Sequence, residues 1–155
     1  MEWKETMKKT TTLIVIANGT RAKFFANEGP GKGLLARPEL SMDEKLLHAR
    51  DIQADKPGRT FDSKGGNRHA MEYSSDPQDT EKSLFAKKIA ERLESTFYDL
   101  KFDRTIIAAS PHILANLRKF ISPTLHSKIY AEIDKDLTKI PEPELTSHFT
   151  DVLAL

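Results

Sequence analysis

The fold of this chain is decided by residues 11–26, which read Thr-Thr-Leu-Ile-Val-Ile-Ala-Asn-Gly-Thr-Arg-Ala-Lys-Phe-Phe-Ala. The first seven residues are β-branched or apolar on both faces, which is typical of a strand buried in the middle of a sheet. Asn18-Gly19 is a strong hairpin signal, and Arg21–Ala26 has the composition of a returning strand. The stretch therefore predicts an antiparallel hairpin whose first strand is covered on both sides.

The middle of the chain predicts one more strand and a long helix. Leu34–Leu40 has a strand-like composition. Asp76-Pro77 predicts the start of a helix that ends near Asp99, because it combines an N-cap carboxylate with a proline at the first helical position. The apolar stripe of this helix is predicted to consist of Leu84, Phe85, Ile89, Leu93 and Phe97.

The last third of the chain alternates between strand and helix patterns. Thr105–Ala109 predicts a second buried strand, and Ser127–Asp134 predicts a half-buried strand because apolar and polar residues alternate in it. Ser110-Pro111 predicts a helix between these strands, and a short final helix is predicted after Pro141. The inward-facing residues of the two helices are predicted to be Ile113, Leu114, Leu117 and Ile121, and then Leu145, Phe149, Val152 and Leu153.

The resulting order, β-β-β-loop-α-β-α-β-α, predicts the α/β class. We expect residues 11–155 to form a single three-layer domain with a mixed sheet, similar to small ribonuclease-H-like or Rossmann-like domains, behind a flexible tail of residues 1–10. Sites in such sheets form beyond the carboxyl ends of central strands. That edge is predicted to hold Ala17–Asn18 and Ala109–Ser110.

Composition excludes several classes of function. The chain of 155 residues carries 24 Lys and Arg against 23 Asp and Glu, so any nucleic-acid binding would depend on a local patch and not on the overall charge. The absence of cysteine excludes disulfides and thiol chemistry. The apolar run at residues 13–17 is too short for a membrane span or a signal-peptide core. We therefore predict a soluble, cytoplasmic protein that does not associate with membranes.

The connection at residues 55–72 is predicted to be functional, because compact domains seldom keep such a long segment without helix or strand periodicity. Its glycines permit close backbone approach to a ligand, and its cationic side chains suit phosphate or carboxylate. The alternative is a solvated loop whose positive charges are nearly balanced by neighbouring aspartates. The predicted RNA- or anion-binding residues are Lys56, Gly58, Arg59, Lys64, Gly65, Gly66, Arg68 and His69.

Hydrolytic metal chemistry has little support in the sequence. Two-metal cleavage requires several converging carboxylates. The first buried strand ends in the neutral Asn18, which is better interpreted as a hairpin-turn residue, and Asp136 fits a loop or turn after the last strand. No histidine pair has metal-ligand spacing, and no serine nucleophile motif is present. We therefore predict no metal and no cofactor.

Five motifs are distributed over nearly the whole chain: residues 14–25, residues 55–63, Arg68-His69-Ala70, Phe85-Ala86 and Asp134-Lys-Asp-Leu-Thr138. Together they resemble the bacterial family named host attachment protein. That family is in turn similar to the middle domain of archaeo-eukaryotic release factors, whose Gly-Gly-Gln loop helps water attack peptidyl-tRNA. The matching position here is Gly65-Gly66-Asn67, with asparagine in place of glutamine.

Three functions follow from the residues and from this resemblance. The first is a non-enzymatic protein that binds RNA on the ribosome or tRNA through residues 55–72. The second is a release or rescue factor similar to peptidyl-tRNA hydrolases, with Gly65, Gly66 and Asn67 as the candidate catalytic residues. The third is a protein involved in attachment to host cells, which is the literal meaning of the family name.

Overall fold

The computed structural model describes residues 10–45 and 77–153, and within the long helix it describes the side chains from Lys82 onward. The strands in these ranges form one mixed sheet: β1 Thr12–Ala17, β2 Arg21–Asn27, β3 Leu35–Ala36, β4 Met42–Asp43, β5 Arg104–Ala109 and β6 Ile129–Ile133. The α-helices are α1 Pro77–Asp99, α2 Pro111–Phe120, α3 Pro123–His126 and α4 Glu142–Leu145. The predicted α/β class with a mixed sheet is confirmed.

The order of strands across the sheet is β3-β2-β1-β5-β6. Both β3 and β4 pair with the edge of β2 that faces away from β1: β3 pairs with Phe25 and Ala26, and β4 pairs with Arg21 and Ala22. Strands β1 and β2 form the predicted antiparallel hairpin. Strands β1 and β5 are parallel, as are β5 and β6. Strand β1 therefore lies in the middle of the sheet, and each of its six residues is buried, as the sequence predicted.

Two hydrophobic cores cover the two faces of the sheet. On one face, Leu13, Val15 and Ala17 of β1 pack with the buried residues of α1 and α2. On the other face, Ile14 and Ile16 pack with the carboxyl-terminal segment, which contributes Leu137, Leu145, Phe149 and Leu153. The sheet is thus the middle of three layers, and the alternating sides of β1 each supply one core.

Helix α1 ends in a Schellman motif. Lys101 adopts a left-handed backbone with a φ of 59°, Phe102 N donates to Phe97 O, and Lys101 N donates to Tyr98 O. The predicted stripe of α1 is buried at Phe85, Ile89, Leu93 and Phe97. The prediction was wrong for Leu84, which is 56% exposed. The buried residues of this stripe are spaced four positions apart, and Leu84 falls outside that series.

The structure differs from the predicted elements in detail. The predicted strand at Leu34–Leu40 contains only the two residues of β3, because Pro38 lacks an N–H group and begins a 3-10 turn at Pro38–Leu40. Strand β4 and helix α3 were not predicted. Helix α3 begins at Pro123 and is capped by Ser122, whose side chain accepts a hydrogen bond from Leu125 N. Ser110 precedes α2 but makes no side-chain capping bond.

The carboxyl-terminal helix is shorter than the sequence pattern suggested. Helix α4 spans Glu142–Leu145 and continues as a 3-10 turn at Thr146–His148. Leu145, Phe149 and Leu153 are buried as predicted. Among the helices within residues 10–45 and 77–153, none combines the length and apolar character needed to cross a membrane.

Candidate functional site

The carboxyl ends of the parallel strands meet at one edge of the sheet. Ala17 at the end of β1 lies opposite Ala109 at the end of β5, and Ser110 N donates a 3.3 Å hydrogen bond to Ala17 O. Strand β6 is parallel to β5, so its end is directed to the same edge. The predicted edge at Ala17–Asn18 and Ala109–Ser110 is therefore present, and residues 134–138 follow β6 there.

Asn18 shapes the hairpin between β1 and β2. Its backbone N donates to Arg21 O at 2.9 Å. Its side-chain Oδ1 accepts bonds of 2.8 Å from the backbone N atoms of Thr20 and Arg21, and one of 3.1 Å from Thr20 Oγ1. Such an Asx-turn, in which the side chain accepts bonds from the following backbone N–H groups, is common for asparagine in tight loops. The interpretation of Asn18 as the hairpin-turn residue is confirmed.

The same asparagine also binds the turn that follows β6. Asn18 Nδ2 donates to Asp136 Oδ2 at 3.0 Å, across 118 residues of sequence, and to Thr138 Oγ1 at 2.9 Å. Asp136 Oδ1 in turn accepts bonds from Thr138 Oγ1 at 2.6 Å and from Thr138 N at 2.9 Å. Asp136 is thus a turn residue, as predicted. Its contact with Asn18 joins two distant parts of the chain.

A third strand is bonded to this turn through Lys23 on β2. Its Nζ donates a 2.9 Å hydrogen bond to the carbonyl oxygen of Thr138, a residue that is only 2% exposed. The ammonium group of Lys23 therefore makes a hydrogen bond within the protein. We call Asn18, Lys23, Asp136 and Thr138 the strand-end network.

The strand-end network also fixes the ionisation of its carboxylate. Burial acts to raise the pKa of Asp136, but the bonds from the Thr138 hydroxyl, the Asn18 amide and the Thr138 N–H, together with the charge of Lys139, outweigh it. The pKa of Asp136 is therefore below its ordinary value. Hydrogen bonds to a charged form favour that form, so this side chain is an anion at neutral pH.

An open cleft of about 260 Å³ lies beside the network, and we call it the strand-end cleft. It is lined by Asn18, Thr20, Arg21, Asp43, Lys45, Thr138 and Lys139, which gives three cationic side chains and one carboxylate. The nearest approach of the opposite charges is 3.7 Å, between Arg21 Nε and Asp43 Oδ2. The Arg21 side chain is 61% exposed, so this ion pair is long and open to solvent.

The described residues on either side of the 46–76 stretch lie next to the hairpin. Glu44 N donates a 2.7 Å hydrogen bond to Thr20 O. On the other side, a methyl group placed on Gly19 would come within 3.3 Å of Lys82 Cε, so the aliphatic chain of Lys82 lies over this glycine. Both flanks are therefore close to the strand-end cleft.

The loop residues predicted from the sequence lie outside the described residues. They remain predictions: Lys56, Gly58, Arg59, Lys64, Gly65, Gly66, Asn67, Arg68 and His69. Within residues 10–45 and 77–153, no three His, Asp or Glu side chains come together in a group that could hold a metal ion.

Sequence reasoning did not identify the partnership between Asn18, Asp136 and Thr138, or the cleft lysines Lys45 and Lys139. A signal for the network was nevertheless present. Asn18 directly follows one buried strand, and the Asp-x-Thr turn follows another strand that runs in parallel within the same sheet. Polar residues at such positions converge because parallel strands end at a common edge.

One family model matches most of the chain. It is described as "Protein required for attachment to host cells" and it matches residues 13–149. The matched range includes the hairpin from its second residue onward, the parallel strands β5 and β6, and the described residues that line the strand-end cleft. No curated protein matches the chain.

Proposed function

This chain belongs to the family of proteins required for attachment to host cells, and we propose that it contributes to attachment by binding a ligand in the strand-end cleft. The observation that carries this proposal is the family match itself, and its range includes the seven described residues that line the cleft. The cleft is open, and the hydrogen bonds of the strand-end network hold its floor, which suits a binding surface.

The chemistry of the cleft favours binding over catalysis. The Asn18 amide donates two hydrogen bonds and accepts three, so it is occupied in holding the turn. A general base works best when its pKa is near the operating pH, and the lowered pKa of Asp136 makes its carboxylate a poor proton acceptor. The planar guanidinium of Arg21 offers several N–H donors, which suits a contact group.

The experiment compares attachment of source cells that lack this protein with cells supplied with defined variants. One variant carries Lys45→Gln with Lys139→Gln, which removes two cleft charges. The matched control carries Lys119→Gln with Lys128→Gln, two exposed lysines near the end of α2 and before β6. Loss of the protein and the cleft variant should both lower the number of cells bound to host cells. The control should restore the wild-type number.

Two results would contradict the proposal. If cells without the protein attach normally, the attachment role is wrong. If the cleft variant restores attachment as fully as wild type at equal protein levels, attachment does not use the strand-end cleft. Immunoblotting establishes the protein levels, so that a variant that fails to accumulate is recognised.

A second candidate function, RNA binding on the ribosome or tRNA, is favoured by clustering of positive charge at this edge. Arg21, Lys45 and Lys139 line the cleft, and Lys82 lies over the neighbouring Gly19. The RNA contacts would be extended by the Gly- and Arg-rich residues 55–72 predicted from sequence. Phosphate contacts release counterions, so such binding should weaken steeply with salt.

Co-sedimentation with ribosomal particles over a salt series tests RNA binding. Replacing Arg59 and Arg68 together by Ala should weaken binding and flatten its dependence on salt, and an unchanged slope would argue against these contacts. Release of labelled peptide from stalled ribosomes tests the related hydrolase activity. We expect no release by wild type. Activity that Asn67→Ala abolishes would instead identify a release factor.

A further inference from the structure

We infer that the strand-end cleft is a site for one tetrahedral oxyanion, a phosphate or sulfate group carried by the ligand. The inference rests on the proposed function only because both use the same cleft. It adds the chemical class of the ligand, which the family description does not contain.

The positive charges come from three separate parts of the chain. Arg21 begins β2, Lys45 follows β4, and Lys139 follows the turn after β6, yet all three line one cleft of about 260 Å³. Asp43 is the single carboxylate among the lining residues that the structure describes. The lining therefore has an excess of positive charge, which favours an anionic ligand over a neutral or cationic one.

Asp43 contacts both the backbone of Lys45 and the side chain of Arg21, and it offsets one of the three positive charges. Its Oδ1 accepts a 2.9 Å bond from Lys45 N, which fixes the backbone at the edge of the cleft. Its Oδ2 approaches Arg21 Nε only to 3.7 Å. The Arg21 guanidinium is planar and has five N–H donors, so it can turn to an oxyanion and form two parallel hydrogen bonds.

The neutral polar groups of the floor have little capacity left for a ligand. Both N–H groups of the Asn18 amide are donated within the protein. The Thr138 hydroxyl donates to Asp136 and accepts from Asn18, and the Thr138 carbonyl accepts from Lys23. Recognition of an uncharged sugar would need such groups to be free. The charged groups that remain among the described lining residues are three cations and one carboxylate, so the ligand they suit is an anion.

The size of the cleft limits how much of the ligand it can enclose. Pockets for drug-sized molecules measure roughly 300–1,000 Å³. The strand-end cleft, at about 260 Å³, is slightly smaller than that range. It suits one charged group with the ring or chain to which that group is attached, and the rest of a larger ligand would lie outside.

The test is a titration of the full-length protein with inorganic phosphate, followed through backbone amide shifts in NMR spectra. Ionic strength is kept constant with chloride. Phosphate should give saturable shifts at Thr20, Arg21 and Thr138. Each exposed charge contact contributes about 0.2–1 kcal/mol, so losing two of them in Lys45→Gln with Lys139→Gln should weaken phosphate binding by about twofold to thirtyfold.

The controls separate a built site from general charge. Lys119→Gln with Lys128→Gln has the same net charge as the cleft variant and should bind phosphate like wild type. Lys45→Arg with Lys139→Arg keeps the charges and should retain binding, provided that both folds are intact by circular dichroism. Sulfate should compete with phosphate, whereas acetate should compete poorly. Unsaturable shifts, equal effects of the two Gln pairs, or stronger binding of acetate would overturn the inference.

The phosphate titration and the attachment assay test the two proposals separately. If phosphate does not bind but the cleft variant loses attachment, the proposed function stands and the oxyanion inference is wrong. If phosphate binds and the cleft variant attaches normally, the cleft is an oxyanion site that attachment does not use.

Discussion

Replacing Asn18 by Asp should destabilise the fold in a pH-dependent manner. The change keeps a side-chain oxygen for the turn bonds from Thr20 N and Arg21 N. It removes both donated bonds and places a second carboxylate about where Nδ2 now lies, 3.0 Å from Asp136 Oδ2. An attraction between an amide and an anion thereby becomes a repulsion between two anions.

The size of the effect follows from these contacts. A hydrogen bond to a charged group contributes about 1.5–3 kcal/mol and a neutral one about 0.5–1.5 kcal/mol. Asp136 is exposed, so water replaces part of the two lost hydrogen bonds. We therefore estimate that their removal costs about 1–2 kcal/mol of stability. Two unit charges at about 4 Å repel by about 1 kcal/mol in bulk water and about 4 kcal/mol near a protein surface. We expect a total loss of about 2–6 kcal/mol at neutral pH, the sum of the lost bonds and the repulsion.

Urea unfolding followed by circular dichroism at several pH values measures this loss. Two close carboxylates raise the pKa of one of them in the folded state. A group whose folded pKa is raised favours the folded state at low pH and loses that contribution as pH rises. The deficit of Asn18→Asp relative to wild type should therefore be largest near pH 7 and smaller near pH 4. A deficit below about 0.5 kcal/mol, or one that does not change with pH, would refute the reasoning.

The double variant Asn18→Asp with Asp136→Asn serves as the control. It restores one amide facing one carboxylate, with the donor on the opposite side of the contact. The two residues should show coupling, so the double variant should be more stable than Asn18→Asp alone at pH 7. Additive losses would show that the 3.0 Å contact does not stabilise the fold.

Three further predictions concern the same network and the core. Thr138→Val should lower stability by about 1–2 kcal/mol in thermal unfolding, because it removes a buried hydroxyl that bonds Asn18 and Asp136; an unchanged midpoint would contradict this. Because the pKa of Asp136 is lowered in the folded state, its carboxylate stabilises the fold at pH values above the pKa of the unfolded chain, about 3.9. In urea unfolding, the advantage of wild type over Asp136→Asn should therefore persist down to about pH 5 and diminish below pH 4. Leu93→Ala should cost about 2–5 kcal/mol, whereas Leu84→Ala should change stability by less than about 0.5 kcal/mol; similar losses would mean that the exposed position of Leu84 is wrong.

The main elements of the fold could be predicted because their signals are local. The apolar run of β1, the Asn-Gly turn and the proline starts of α1 and α2 each depend on neighbouring residues only. Strands β3 and β4 have two residues each, and their pairing with β2 is tertiary. No periodicity can be recognised in so short a segment. The exposure of Leu84 likewise depends on which face of α1 meets the sheet.

The location of the site could be predicted from the sequence, but its long-range contacts could not, because they depend on tertiary structure. The rule that sites form at the carboxyl ends of parallel strands located Asn18 and Ser110 at the correct edge. It did not bring Asp136 and Thr138 to Asn18, since that contact spans 118 residues and requires the position of β6 in the sheet. The cleft lysines follow a two-residue strand and a turn, so their convergence also depends on tertiary structure.

The choice of asparagine at the end of β1 determines the electrostatics of this whole edge. An aspartate there would face Asp136 and give a pair of carboxylates, which is the arrangement that attracts metal cations. The amide of Asn18 instead donates to the Asp136 carboxylate, and the Thr138 hydroxyl and N–H complete its partners. The negative charge is then satisfied inside the turn, and the cleft presents Arg21, Lys45 and Lys139 to solvent with one carboxylate beside them. One neutral side chain therefore prevents a pair of carboxylates at this edge, which is a condition for the oxyanion site that we propose.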